Sequence, residues 1–412
     1  MLINTTLELE EICEELVIMK PKFIAVDTEF IRNNVTYYPK LSLIQVSYGS
    51  KSFIVDALAS EIDLSPIKKI MLDKEIIKVF HSCRQDMESL LTVLKNIPIS
   101  IFDTQIAAML CNYYHDFISY SKVVEQYKGV VLDKMKAKNS DWLKRPLSED
   151  QVDYAINDVI HLYDLYQILR DELGKNERVD WFQEEMKTMG DINRYLHSPK
   201  DAWKRIKFNC EANPKMILTV NALSEWQETL AQRYNVNRNR IIDSSVISGL
   251  IEKNVVDVDE ILDDLEKNMR SVNMRDKKEE CLLEFMSILN KNKKIFTQQN
   301  NISIKSCDQS VFDILSILLE SKCKENNISR KLVASKDELI KSISGQIDRL
   351  FKGWRYDFFG KSIKSFLNTD SKFEISAAKS ASNMTKIQSR LIENDLVGEL
   401  TTLHTESGKY DD

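Results

Sequence analysis

KFIAVDTEFIRNNVTYYPKLSLIQVSYGSKSFIVD, residues 22–56, holds three short apolar runs, at 22–27, 41–48 and 52–56. Each is rich in Ile, Val and Phe and ends in polar or turn-forming residues, the pattern of strands rather than helices. Three strands so close along the chain predict an antiparallel meander. Downstream, 76–81 (IIKVFH) is a further strand, and 84–95 (RQDMESLLTVLK), 103–111 and 148–172 carry helical patterns. Strand–helix alternation adds parallel strands, so the expected fold class is α/β, a mixed β-sheet flanked by helices.

Composition narrows the alternatives. The chain has 412 residues but only 10 Gly and 7 Pro, which disfavours turn-dense all-β folds and linker-like chains. No window approaches the roughly 18 apolar residues that a membrane-spanning helix requires. The first 15 residues contain five Glu and no Lys or Arg, the reverse of a signal or transit peptide, so the cytoplasm is the expected compartment. Seven cysteines form no C-x-x-C pair and are an odd number, which fits reduced thiols better than a zinc ribbon or a disulfide framework.

Charge and pattern divide the chain. Residues 1–200 carry 24 basic and 31 acidic side chains, whereas 301–369 carry 12 and 8. Strand signals fade near 198, and helical patterns separated by polar turns follow. The expected division is an α/β domain over 1–198, a small all-α domain over 210–294, a second over 305–369, and a weakly ordered tail over 370–412, in which 384–398 could form one amphipathic helix.

Chemistry starts in the first strand. In FIAVDTEF, a period of two turns Asp27 and Glu29 to one face. Two oxygen-only donors side by side suit a hard divalent cation such as Mg²⁺ or Mn²⁺. In KVFHSCRQDMESLL, Asp86 falls in the first helical turn beyond the carboxyl end of a strand, where α/β sheets place their sites. In EDQVDYAINDVIHLYDLY, Tyr154 and Asp158 are four apart on a helix and share a face.

The order of these motifs resembles the DEDD exonuclease superfamily, in its tyrosine-bearing branch. VDTEFIRNNVTYYPKLSLIQ and SDWLKRPLSEDQVDYAINDVIHLY narrow the resemblance to the ribonuclease D family. It implies a ribonuclease H-like exonuclease domain in which Asp27, Glu29, Asp86 and Asp158 ligate two divalent metal ions and Tyr154 orients the attacking water. It further implies stepwise 3′→5′ hydrolysis of RNA with a free 3′ end, tRNA precursors above all, releasing nucleoside 5′-monophosphates. DAWKRI at 201–206 and the helices beyond it resemble that family's first HRDC domain, and GWRYDFFGKSI at 353–363 sits where its second ends. Neither a membrane nor an obligate protein partner is implied. A 3′→5′ DNA exonuclease and a non-catalytic RNA-binding adaptor remain open as alternatives.

An acidic domain that grips a polyanion needs local cations. Residues 128–145 carry six Lys or Arg against two Asp, and Lys134, Lys136, Lys138, Lys144 and Arg145 are candidate phosphate contacts. Tyr37 and Tyr38 are candidates to stack on a 3′-terminal base or to pack on the sheet. His81 is expected to be a core or supporting histidine, Asp103 a helix cap, and Cys83 and Trp142 packing residues.

Overall fold

The computed structural model describes residues 1–114, 116–132, 140–206, 214–252, 257–268, 278–296, 309–345 and 349–368. The candidates Lys134, Lys136 and Lys138, the segment 297–308, and the tail with its helix expected at 384–398 lie outside the described residues.

The first part of the chain runs β1 (Leu2–Ile3), α1 (Thr6–Met19), β2 (Phe23–Ile31), β3 (Lys40–Tyr48), β4 (Lys51–Asp56), α2 (Ser65–Met71), β5 (Ile77–Phe80), α3 (Arg84–Leu94), β6 (Ile101–Asp103), α4 (Thr104–Leu110), α5 (Tyr120–Lys128), α6 (Glu149–Lys175) and α7 (Val179–Met189). The six strands form one sheet in the order β1-β4-β3-β2-β5-β6. β2, β3 and β4 pair antiparallel as the meander, and β5 and β6 extend it in parallel on the β2 side. Two-fold alternation splits the sheet between two cores. Ile24, Val26 and Phe80 pack with α1, α2 and α3, whereas Phe23, Ala25 and Val79 pack with α4 and α6 on the other face.

The remaining elements are helical. α8 (Pro214–Tyr234), α9 (Arg238–Ile241), α10 (Ser244–Glu252), α11 (Val258–Asn268) and α12 (Lys278–Phe296) close around Leu223, Trp226, Leu230, Ile261 and Phe285, a core of their own. The Trp226 indole N–H donates to the Cys281 carbonyl at 2.7 Å and ties α8 to α12. The second group, α13 (Gln309–Glu325), α14 (Arg330–Val333), α15 (Lys336–Ile343), α16 (Gly353–Arg355) and α17 (Lys361–Asn368), differs: Leu315, Leu319, Leu332, Leu350 and Phe359 belong to the same apolar core as α4, α6 and α7. Among the described residues no helix is long and apolar enough to cross a membrane.

Candidate active site

β2 carries Asp27 and Glu29 out of the sheet core at its carboxyl end, and the register against β3 shifts between Glu29 and Phe30. α6 crosses that face. It starts at Ser148, whose hydroxyl accepts from the Gln151 N–H while Gln151 reaches back to the Ser148 N–H, a reciprocal cap that fixes the helix start. Six and ten residues after the cap, Tyr154 and Asp158 point back at β2. Carboxylate oxygens of Asp27, Glu29 and Asp158 all lie within 4.8 Å of one another.

Asp86 approaches from the other side. It sits in the first turn of α3 and is only 6% exposed. Its carboxylate accepts from the Thr28 hydroxyl, the residue between Asp27 and Glu29 that alternation sends to the α3 face. The turn into α3 is braced by Asp103, which accepts from the Ser82 and Cys83 N–H groups at 3.0 and 2.8 Å and caps α4 through Gln105 and Ile106. Asp86 lies outside the group of three yet close enough for its charge to act on Glu29, and that of Asp27 on it.

Burial raises every one of these acids. Burial pushes Glu29 up to about 9, with the charges of Asp27, Asp158 and Asp86 adding to it. Burial likewise raises Asp27, Asp86 and Asp158; the charge of Asp27 adds to the last two, while a hydrogen bond from Tyr154 pulls Asp158 partly back. Burial also holds the Tyr154 phenol above its ordinary value, so it is neutral. Among the described residues no Lys, Arg or His forms an ion pair with any of the four acids. At neutral pH such a set cannot all ionise without a cation, and an oxygen-only donor set of this density fits Mg²⁺ or Mn²⁺.

Comparison with known proteins accords with this geometry. Residues 1–174 match the family model described as a 3′-5′ exonuclease. Escherichia coli RNase D, a solved exoribonuclease, superposes with a TM-score of 0.73 at 26% identity, covering 89% of this chain and 98% of that one. Ribonuclease D of Zymomonas mobilis is 31% identical over 390 residues, 92% of this chain and 97% of the relative. That of Bartonella henselae is 33% identical over 362 residues, 87% of this chain and 88% of the relative.

The chain belongs to the ribonuclease D family. It is therefore a 3′→5′ exoribonuclease hydrolase, and the likeness to ribonuclease D takes in the helical part as well as the sheet. A non-catalytic adaptor is thereby set aside.

Two of the expected RNA contacts are engaged within the protein. Arg145 spends all five donors inside the protein: Nε and Nη2 grip Asp56 at 2.6 and 2.7 Å, Nη2 also reaches Ser42 Oγ at 3.0 Å, and Nη1 donates to the Trp142 and Lys144 carbonyls at 2.8 and 2.9 Å. It is a strut that pins the segment before α6 to the end of β4, with no N–H left for a phosphate. Tyr37 neither packs on the sheet nor offers a free ring. Its hydroxyl donates to Glu228 of α8 and accepts from Gln232 and Arg238 at 3.1 Å each, while the Arg238 guanidinium covers the ring at 4.8 Å. Tyr38 is 42% exposed and Lys144 is exposed, so both keep a solvent-facing group.

Other side chains stand as expected or were missed. Trp142 and Cys83 are buried. His81 is a supporting residue, its Nδ1 3.0 Å from Thr104 Oγ1 and its Nε2 3.3 Å from the Ile118 carbonyl. The missed ones are Thr28, for which alternation in β2 was the available signal, and Tyr120. The Tyr120 hydroxyl donates to the Asp158 carbonyl at 2.5 Å and steadies the turn of α6 that bears the carboxylate. It opens α5, where Tyr120, Val123, Val124 and Tyr127 recur at helical spacing, the signal that was available for it.

Proposed function

We propose that the protein shortens RNA from a free 3′ end, tRNA precursors in particular, releasing nucleoside 5′-monophosphates in the cytoplasm, with two divalent cations, Mg²⁺ or Mn²⁺, held by Asp27, Glu29, Asp86 and Asp158. The observation that carries this reading is the approach of Asp27, Glu29 and Asp158 within 4.8 Å, with Asp86 adjoining, in a member of the ribonuclease D family. Cations bound there neutralise the scissile phosphate and acidify the attacking water.

The protein's own residues do the rest. Asp27 and Glu29 are fixed by the sheet and Asp158 by α6, so the donors face one another from two rigid elements. Thr28 aims Asp86. The neutral Tyr154 hydroxyl, on the same helix face as Asp158, orients the attacking water by hydrogen bonding rather than by taking its proton. Lys136, Lys138 and Lys144 are proposed as phosphate contacts and Tyr38 as a stacking platform for the terminal base. The helical groups within 210–294 and 305–369 act as HRDC-type RNA-holding domains that follow the catalytic domain of 1–198.

The test is a 5′-labelled RNA with either a free 3′-hydroxyl or a blocked 3′ end, incubated with Mn²⁺. Stepwise shortening of the free end alone, abolished by excess chelator, is expected; shortening in excess chelator rejects the metal reading. A matched DNA oligonucleotide degraded faster than the RNA rejects the RNA preference. Tyr154→Phe is expected to lower kcat with KM little changed.

A further inference from the structure

Gln45 lies in the middle of β3, directly opposite Asp27 of β2 in the antiparallel register. Directly opposed residues share a face and bring their Cβ atoms to about 4.5–5.5 Å. This is the face crossed by α6, where Leu43 and Ile54 pack against Ala155 and Tyr154. Gln45 is fully buried, and neither its amide nitrogen nor its amide oxygen has a hydrogen-bond partner among the described residues. An unpartnered buried amide is costly, and most buried polar groups in folded proteins do find partners.

Asp27 has the complementary shortfall. Among the described residues its carboxylate, in the same layer, has the Thr28 backbone N–H in support of its charge and no side-chain donor. A carboxylate can accept about four hydrogen bonds, and an amide group offers two N–H donors. On one sheet face, then, a fully buried donor lacks an acceptor and its cross-strand neighbour lacks donors. The apolar residues around them, Leu43, Ile54 and Ala155, offer neither.

We infer that Gln45 is a positioning residue for Asp27: its amide, through a buried water, holds the carboxylate in the orientation that receives the divalent cation. A buried water usually makes two to four hydrogen bonds, and the amide N–H, the amide oxygen and the carboxylate provide them. Partners of this kind, behind a ligand rather than on the metal, typically alter metal affinity by about 10–100-fold. The inference rests on the metal reading of the preceding section.

Gln45→Met keeps the length and apolar bulk of the side chain and removes the amide. Calorimetric titration of Mn²⁺ into RNA-free wild-type and Gln45→Met protein is expected to show affinity at least about tenfold weaker in the variant, with a melting temperature of the metal-free protein no lower than the wild type's. On RNA, kcat is expected to fall while KM holds. A residue that merely filled the core would instead leave Mn²⁺ affinity and kcat unchanged, and that result overturns the inference while sparing the metal site. A wild-type protein that binds no Mn²⁺ overturns both. Should Gln45→Met fail to fold, a high-resolution crystal structure of the Mn²⁺-loaded wild type decides: an ordered water touching both the Gln45 amide and Asp27 supports the inference, and its absence there defeats it.

Discussion

The two helical groups are joined to the sheet domain in opposite ways. The first has its own core and is held by polar contacts around one carboxylate: Glu228, fully buried, receives Arg205, two nitrogens of Arg238 and the Tyr37 hydroxyl. Arg240 Nε on the Asn34 carbonyl and the Asn237 N–H on the Val35 carbonyl, at 3.0 and 2.9 Å, add to the attachment, as do the Tyr38 N–H on Asn235 and Gln232 on the His197 carbonyl. The second continues the sheet domain's own apolar core. There the Trp181 and Trp354 rings stack at 4.8 Å, and Arg355 forms a bidentate pair with Glu185 at 2.5 and 2.9 Å, both side chains about nine-tenths buried. Apolar continuity makes one cooperative unit of the second group and the catalytic domain. A polar clamp on a group with its own core instead allows that group to loosen alone.

The largest effect expected is at Arg355. Arg355→Ala leaves the buried Glu185 charge without its counter-ion, with only the Trp354 indole N–H at 2.8 Å still donating to it, and breaking such a pair typically costs about 3–5 kcal/mol. In urea unfolding the midpoint of the main transition, that of the catalytic domain, is expected to fall. Glu185→Leu combined with Arg355→Met removes both charges and is expected to recover part of the loss, the remainder coming from the Trp354 N–H and the Leu332 and Val333 carbonyls that lose these partners. If Arg355→Ala shifts only a separate minor transition, the two helical groups are attached alike and the contrast is broken.

How much of this contrast could be read in the sequence differs by element. β2, β3 and β4 were legible because each has enough consecutive apolar residues to show a strand pattern. β1, of two residues, and β6, of three, are too short for any periodicity and exist through pairing with β4 and β5. The face shared by Asp27 and Glu29, and that shared by Tyr154 and Asp158, follow from the strand and helix repeats; that the two faces meet is implied only by the resemblance to the ribonuclease D family. The internal partners of Arg145 are not legible, because a run of basic residues says nothing about how many N–H groups the fold consumes. The partner of Tyr37 is not legible either, because Glu228 lies 191 positions away. That the second helical group shares its core with the sheet domain is not legible, because an apolar helix face does not announce what it covers.

A smaller effect is expected at Glu228. Glu228→Gln keeps the shape but removes the charge that faces two arginines, and about 1–3 kcal/mol is a reasonable loss for a buried charged hydrogen-bond acceptor. Arg205 and Arg238 are partly solvent-exposed, which places the effect toward the lower end. Hydrogen exchange is expected to show faster exchange in α8 and α12 and no change in α13. The wild type offers the same test through pH. Burial by itself raises the Glu228 carboxyl, but hydrogen bonds from Arg238, Tyr37 and Arg205 outweigh it and hold the group at about 2, against an ordinary 4.5. A depressed carboxyl contributes stability that is fully present above the ordinary value and is lost as pH falls toward the folded one. Protection of α8 and α12, taken relative to the intrinsic exchange rate at each pH, is therefore expected to fall between about pH 4.5 and 2, and Glu228→Gln is expected to flatten that dependence.

The smallest effect distinguishes a clamp from a substrate contact. Tyr37→Phe keeps the ring under Arg238 and deletes only the hydroxyl that serves Glu228, Gln232 and Arg238. The expected cost is about 0.5–1.5 kcal/mol, the usual net worth of one hydrogen bond, and it should appear as faster exchange in α8 alone. Were Tyr37 a stacking platform for the RNA terminus, the same substitution would leave stacking intact, so the informative partner is Tyr37→Ala. The clamp reading expects Tyr37→Ala to loosen α8 further while an RNA too short to extend beyond the carboxylate site is bound as by the wild type. The stacking reading expects that short RNA to lose about 1–3 kcal/mol of binding, and equilibrium binding of a two- or three-nucleotide RNA separates the two. Loss of short-RNA affinity with α8 exchange unchanged would return Tyr37 to the substrate and leave Glu228 and its arginines as the whole of the clamp.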